Sequence, residues 1–274
     1  MDFLKRFFDF YLQSSIHVAL SVFSLIMVTD ILLHLETNYY MAGFGFFGTI
    51  VGYNFVKYDA IARSGTPELS VKLKWFIALS GLAFLGTVFC FFHLNTITQV
   101  VSGIFLLITA LYTLPFFPNR KNARSWAGLK IYIVALCWVG VTFVLPVLNA
   151  GIPMENDFYI ICVKRFILIV VLLFVFEIID LAWDDPHLKT VPQQIGIGRT
   201  KQLGIFLLSL FLILELFQIA ESGPRFLINS AIIAITGLFL VFANVKRSKY
   251  YTVFWTESIP VLWWILLLVF RQFL

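Results

Sequence analysis

Charge is what this sequence has least of. Asp, Glu, Lys and Arg make up 13% of its 274 residues, about half the share of a soluble domain. With 60% hydrophobic residues and a mean hydropathy of +0.92, a water-soluble globule is excluded. The net charge of +5 is shared out among loops and gathers into no basic patch, so no nucleic-acid partner is expected. Cysteine is scarce too: Cys90, Cys137 and Cys162 sit in apolar runs without CxxC spacing, which fits small buried hydrophobes better than disulfides or metal ligands. No small-residue cleavage site follows Lys5 and Arg6, so the first apolar stretch reads as an uncleaved span. Phe3 to Tyr11, Phe-rich with interspersed charge, reads as a segment lying along the membrane surface. No repeat, low-complexity tract or linker divides residues 1–274, and one domain is expected.

What the sequence has in quantity is long apolar runs. A helix needs about 20 apolar residues to cross the hydrocarbon core. Nine stretches qualify or nearly so: Ser15 to Leu35, Tyr39 to Lys57, Leu73 to Phe92, Thr96 to Phe116, Leu129 to Leu148, Phe158 to Asp180, Leu203 to Ala220, Phe226 to Asn244 and Val253 to Phe270. Two are short or interrupted by polar residues, which leaves eight as the other count. With nine, sixteen of the twenty Lys and Arg fall on the side of the N-terminus and four, Lys164, Arg165, Arg225 and Arg271, on the other. Positive charge stays inside. The expected fold is therefore an all-α membrane protein, a polytopic bundle of about nine transmembrane helices with the N-terminus inside and the C-terminus outside. The expected location is a bacterial cytoplasmic membrane, with any chemistry on the cytoplasmic face.

The sixth stretch closes on Phe176-Glu177-Ile178-Ile179-Asp180-Leu181-Ala182-Trp183-Asp184-Asp185-Pro186. Carboxylates at the end of a hydrocarbon span are costly and usually serve a metal, a cation or a proton path. Residues three and seven apart return to nearly one helix face, so Glu177, Asp180 and Asp184 are expected as one acidic stripe. Pro186 biases Asp185 away from helical geometry and should end the helix there. A cation between the stacked acids would relieve their repulsion, and Mg²⁺ suits such a site because it takes one or two carboxylates plus substrate phosphate oxygens. The plainer alternative is a solvated helix end paired with Lys189, Arg199 or Lys201.

The run from Asp184 through Lys189-Thr190-Val191-Pro192 to Gly196 resembles the second aspartate-rich motif and following loop of UbiA-type intramembrane prenyltransferases. That pattern is Asp-x-x-Asp-x-x-x-Asp, then Lys-Thr-x-Pro and a Gly; here Glu177 takes the first acid position and Asp180 and Asp184 the next two. The likeness is specific in this loop and architectural elsewhere. It implies transfer of an isoprenyl group from a prenyl diphosphate to an aromatic or other lipophilic acceptor. Mg²⁺ would be held by Asp180 and Asp184 with Glu177 assisting, and no protein partner is expected. The family's first motif, Asn-Asp-x-x-Asp, belongs at the end of the second span. Asn54 matches it, while Phe55 and Tyr58 stand at the two Asp positions.

Asn54, Lys57 and Tyr58 share a helix face and offer an amide, a cation and a phenol to a diphosphate. Asp59 is turned roughly 140° from Asn54 on a continuous helix and is four residues from Arg63, the spacing of a surface ion pair. Further candidates for the diphosphate are Arg63, Arg120, Lys121, Arg124, Lys130 and Lys189, because charge builds on the leaving group as its bond breaks. Tyr112 holds the place of the Tyr in the family's Tyr-x-x-x-Lys, with Phe116 where the Lys would stand. Of the acids within spans, Asp30, Glu215 and Glu257, the last precedes Pro260 and is the acceptor-site candidate. Two other readings compete: an ion-coupled transporter using the acidic stripe, and a homologue that binds isoprenoids without catalysing transfer.

Overall fold

The computed structural model describes residues 2–63, 71–113, 128, 130–184, 188–218 and 223–270. Their regular structure is helical, with no strand among them, and short turns join the helices. Hydrocarbon offers no hydrogen bonds, and a helix satisfies its backbone within its own segment. In order, the elements are α1 (Asp2–Gln13), α2 (Ile16–Leu32), α3 (Tyr39–Arg63), α4 (Val71–Phe91), α5 (Thr96–Thr113), α6 (Lys130–Val139) and a π-helical turn (Gly140–Val144). Then come α7 (Leu145–Ala150), α8 (Asn156–Asp180), α9 (Val191–Leu216), α10 (Gly223–Phe242), a second π-helical segment (Tyr251–Thr256) and α11 (Ile259–Val269).

Helical segments fall on all nine apolar stretches. Among the described residues, six helices are long and apolar enough to cross a membrane, and the bent pair α1–α2 counts as a seventh if taken as one span. The bend between α1 and α2 is 59°, made at Ser15, whose φ of 64° places a non-glycine residue in the left-handed region. The sequence reading of Phe3 to Tyr11 as a surface segment ahead of a span from Ser15 implies a change of direction there, and the left-handed Ser15 is where the chain makes it.

Helix α8 is the hub. Its middle, from Phe166 to Phe176, is an unbroken apolar run with no polar face, the mark of a helix surrounded by others, and Leu168, Val171, Val175 and Ile178 are completely buried. It packs against α6, α9, α10 and the second π-helical segment. Helices α4 and α9 turn large apolar side chains outward, including Leu82, Leu85, Phe89 and Phe206, as lipid-facing helices do.

Helix α9 starts twelve residues before the predicted seventh stretch. Pro192 stands in its first turn, where its missing N–H costs nothing, and the Thr190 N–H donates to Gln193 Oε1 at 3.0 Å. Gly196 then kinks it, with φ 83° and ψ 157°, a conformation open essentially to glycine alone. Gly196→Ala is expected to destabilise the protein by about 1–3 kcal/mol, read as a lower thermal unfolding midpoint in detergent. An unchanged midpoint would mean that the kink carries no strain.

Candidate active site

The acidic segment lies where α8 ends. Helical hydrogen bonding runs slightly past Asp180, because the Trp183 and Asp184 N–H groups donate to the Asp180 carbonyl at 2.8 and 2.9 Å. Helix α8 thus stops before Pro186, and a tight turn carries Asp184. Asp184 still sits close enough to act electrostatically on both Glu177 and Asp180, and its Oδ2 is buried without a hydrogen-bond partner.

Glu177 has a second task. It is 5% exposed, and its Oε2 accepts the Val191 N–H at 3.0 Å. A carboxylate at a helix N-terminus satisfies one of its free donors and meets the positive end of the dipole. Glu177 therefore ties the end of α8 to the start of α9. Glu177→Gln keeps an acceptor there and is expected to retain stability, whereas Glu177→Ala strands a buried N–H and costs about 1–3 kcal/mol. Thermal unfolding of both variants checks this. Equal losses would assign the role of Glu177 to its charge and not to the cap.

The cations near the acids are Lys130, at the start of α6, whose charge acts on Glu177 and Asp180, and Lys249, whose charge acts on Asp180. The Lys249 ammonium lies 5.5 Å from the centre of the Trp183 ring. Among the described residues, the pairing of the acids with Lys189, Arg199 or Lys201 does not form. Lys201 donates instead to the Val241 carbonyl at 2.7 Å. Lys189 takes a left-handed backbone conformation, φ 47°, with its side chain exposed, and its carbonyl accepts from Gln194 Nε2 at 2.5 Å.

The Asn54 face of α3 makes a separate cluster. Asn54 Nδ2 donates to Ser80 Oγ on α4 at 3.0 Å, and its Oδ1 is buried without a partner. Lys57 Nζ donates to Ser15 Oγ at 2.9 Å, and its charge and that of Glu257 act on each other. Tyr58 donates to the Gln13 carbonyl at 2.9 Å and stacks on Phe76. Lys57 and Tyr58 thus hold the bend between α1 and α2. The Glu257 carbonyl accepts from Ser21 Oγ. Nearby, His17 bonds Tyr11 at 2.7 Å and the Phe254 carbonyl at 2.9 Å, an acceptor on the second π-helical segment. The side chains of Asp59, Arg63 and Tyr112, and the whole of Arg120, Lys121, Arg124 and Asp185, lie outside the described residues.

No group of three or more His, Cys, Asp or Glu side chains able to hold a metal occurs among the described residues. Asp180 and Asp184, with one buried oxygen unpartnered, fit a hard cation that brings its remaining oxygen ligands with a phosphate substrate; they do not form an all-protein cage. This is a membrane-embedded helical bundle with a carboxylate pair and two ammonium groups at the end of its central helix.

Neither family models nor curated proteins give a match to this chain. Solved structures do. A UbiA homolog from Aeropyrum pernix K1, in apo form, has a TM-score of 0.68 at 13% identity, over 93% of this chain and 98% of that one. The UbiA homolog from Archaeoglobus fulgidus bound to GPP and Mg²⁺ has a TM-score of 0.65 at 18% identity, over 95% and 98%. A digeranylgeranylglyceryl phosphate synthase follows at 0.56 and 15%, over 98% and 97%. This chain therefore has the fold of the UbiA-type prenyltransferases, which agrees with the resemblance carried by the loop from Asp184 to Gly196.

Sequence reasoning counts Lys249 only as an inner-face charge and passes over Trp183, His17 and Tyr11. Lys249 stands 65 residues after Asp184, and no local spacing signals that the two meet.

Proposed function

We propose that the protein is an integral membrane prenyltransferase of the UbiA type. It moves an isoprenyl group from a prenyl diphosphate to an aromatic or other lipophilic acceptor. The observation that carries this reading is the Asp180–Asp184 pair, with a buried, unpartnered Asp184 oxygen, beside Lys130 and Lys249 on that fold. The orientation proposed is N-in and C-out across nine spans, which puts this mouth on the cytoplasmic side.

Asp180 and Asp184 would hold Mg²⁺, with Glu177 in support; when bound, the metal supplies positive charge against the diphosphate. Lys130, Lys249 and Lys189 make the potential more positive where the leaving group gathers negative charge, which favours the transition state over the bound substrate. The allylic carbon–oxygen bond breaks and its electron pair leaves with the diphosphate. The acceptor's nucleophilic atom then forms the new bond to carbon and gives up its proton to the released diphosphate. The apolar walls of the bundle keep water from the allylic cation. Lys57 acts with the Asn54 face on the diphosphate side, and Glu257 belongs to the acceptor side.

The test uses detergent-purified protein, radiolabelled prenyl diphosphates and a panel of quinone-precursor and chlorin-type acceptors, with and without Mg²⁺. Metal-dependent transfer is the expected result. A second reading, an isoprenoid-binding homologue without catalysis, draws on the commitment of Asn54 to Ser80 and Tyr58 to Gln13. Binding of the diphosphate without turnover on any acceptor would favour it, and absence of binding would sink both.

A further inference from the structure

The first third of α8 carries a second polar centre that prenyl transfer does not use. Lys164 and Arg165 are 4% and 1% exposed. They therefore lie inside the bundle, within the sixth apolar stretch, although loop charge counts them on its outer side. Fifteen residues separate Arg165 from Asp180, about 22 Å along a helix, so this centre is distinct from the acidic mouth.

A small cavity opens between Lys164, Arg165, Arg225, Asn229 and Trp263. It has room for about one water molecule. Three cations line it and no carboxylate does. Lys164 is compensated, because its Nζ pairs with Glu215 Oε2 at 2.5 Å and also donates to Gln218 Oε1. The two arginines are not. Arg165 donates to neutral acceptors, the Leu25 carbonyl at 3.0 Å and Thr29 Oγ1 at 3.2 Å, and lies over the Trp263 ring. Arg225 donates to the Leu32 carbonyl at 3.3 Å. Each arginine also has a buried Nε–H without an acceptor. Both charges act on Lys164, so the three cations sit within reach of one another around a single gap. Asp30 is buried nearby in sequence to Thr29, but it does not line the cavity and its own Oδ2 is unpartnered.

Buried charges in a membrane bundle are normally paired. A buried guanidinium, Arg165, and a half-buried one, Arg225, line one gap with donors to spare and no described carboxylate, and a small anion there would be a compensation of the right sign and size. We propose that this cavity binds a small monovalent anion of the chloride type. Its size excludes sulfate and phosphate, which separates it from the diphosphate chemistry proposed at the other end of α8. The anion would cross-link α8 to α10 and α11 through Arg165, Arg225 and the Trp263 edge of the cavity.

The experiment is thermal unfolding of the full-length protein in detergent, at fixed ionic strength, titrating chloride or bromide against gluconate. The expected result is a saturable rise in midpoint of about 2–8 °C with chloride and bromide and none with sulfate. Bromide-soaked crystals should show an anomalous peak between Arg165 and Arg225. Arg225→Gln should abolish the halide-dependent rise, and Arg165→Leu should do so if it folds; the wild-type titration needs no variant. Identical midpoints in halide and gluconate, or a cavity without an anomalous peak, would overturn the proposal.

Discussion

Asp180→Ala is expected to lower prenyl transfer about 10²- to 10³-fold, the loss typical of removing one preorganised group that acts on transition-state charge. Asp180 is half-buried at the end of α8, its side chain is outside the Glu177–Val191 tie, and its backbone carbonyl anchors the turn to Asp184. Alanine preserves that carbonyl, so the fold should survive while the charge is lost. Asp184→Asn tests the pair from the other side, since it keeps the shape and removes one negative charge. Both variants should raise the Mg²⁺ concentration needed for half-maximal rate, measured with the radiolabelled diphosphate assay. Near-wild-type rate in both would refute the placement of the active site at this pair, whatever the protein's overall activity.

The second large effect is on stability. Glu215→Ala should destabilise the protein by about 3–5 kcal/mol, the usual cost of breaking a buried ion pair from one side. Lys164 and Glu215 side chains are 5% and 3% exposed. Removing the carboxylate leaves the ammonium with only the neutral Gln218 oxygen. It also frees Asn229 Nδ2, which donates to Glu215 Oε1 at 2.7 Å. The double variant Lys164→Met/Glu215→Leu removes both charges, so it should recover most of the loss. A deficit of about 1–3 kcal/mol should persist for the stranded Asn229 donor. Unfolding midpoints in detergent of Lys164→Met, Glu215→Leu and their double variant, each against the unsubstituted protein, give the coupling directly. A Glu215→Ala loss below about 1 kcal/mol would mean that water reaches the pair.

The acidic mouth was legible because its signals are local. Glu177, Asp180 and Asp184 follow helix spacing, and the Lys189-Thr190-Val191-Pro192 run marks the start of the next helix by its turn chemistry. The tie from Glu177 to the Val191 N–H spans only 14 residues. The other half of the surroundings was not legible. Lys249 reaches the acids from the loop before the second π-helical segment, and Lys57 meets Ser15 across 42 residues. Lys164 and Arg165 count only as outer-side cations of the sixth stretch until α8 is placed at the centre. Their partners lie on other helices: Glu215 is 51 residues away, and the Leu25 carbonyl is 140 residues away.

The sequence by itself determined a membrane protein made of helices with one acidic helix end. Apolar length decides what can sit in hydrocarbon, and in hydrocarbon each segment must close its own backbone hydrogen bonds. Tertiary structure alone decided which polar side chains meet. Those encounters depend on helix rotation, on the bend at Ser15, on the kink at Gly196 and on the two π-helical interruptions, each of which redirects carbonyls toward another helix. One of them, Thr142, accepts from Thr29 Oγ1 at 2.7 Å; another, Phe254, accepts from His17. Hydropathy is a sum over residues and carries no rotation angle, so it identifies the helices and leaves their polar contacts to the packing.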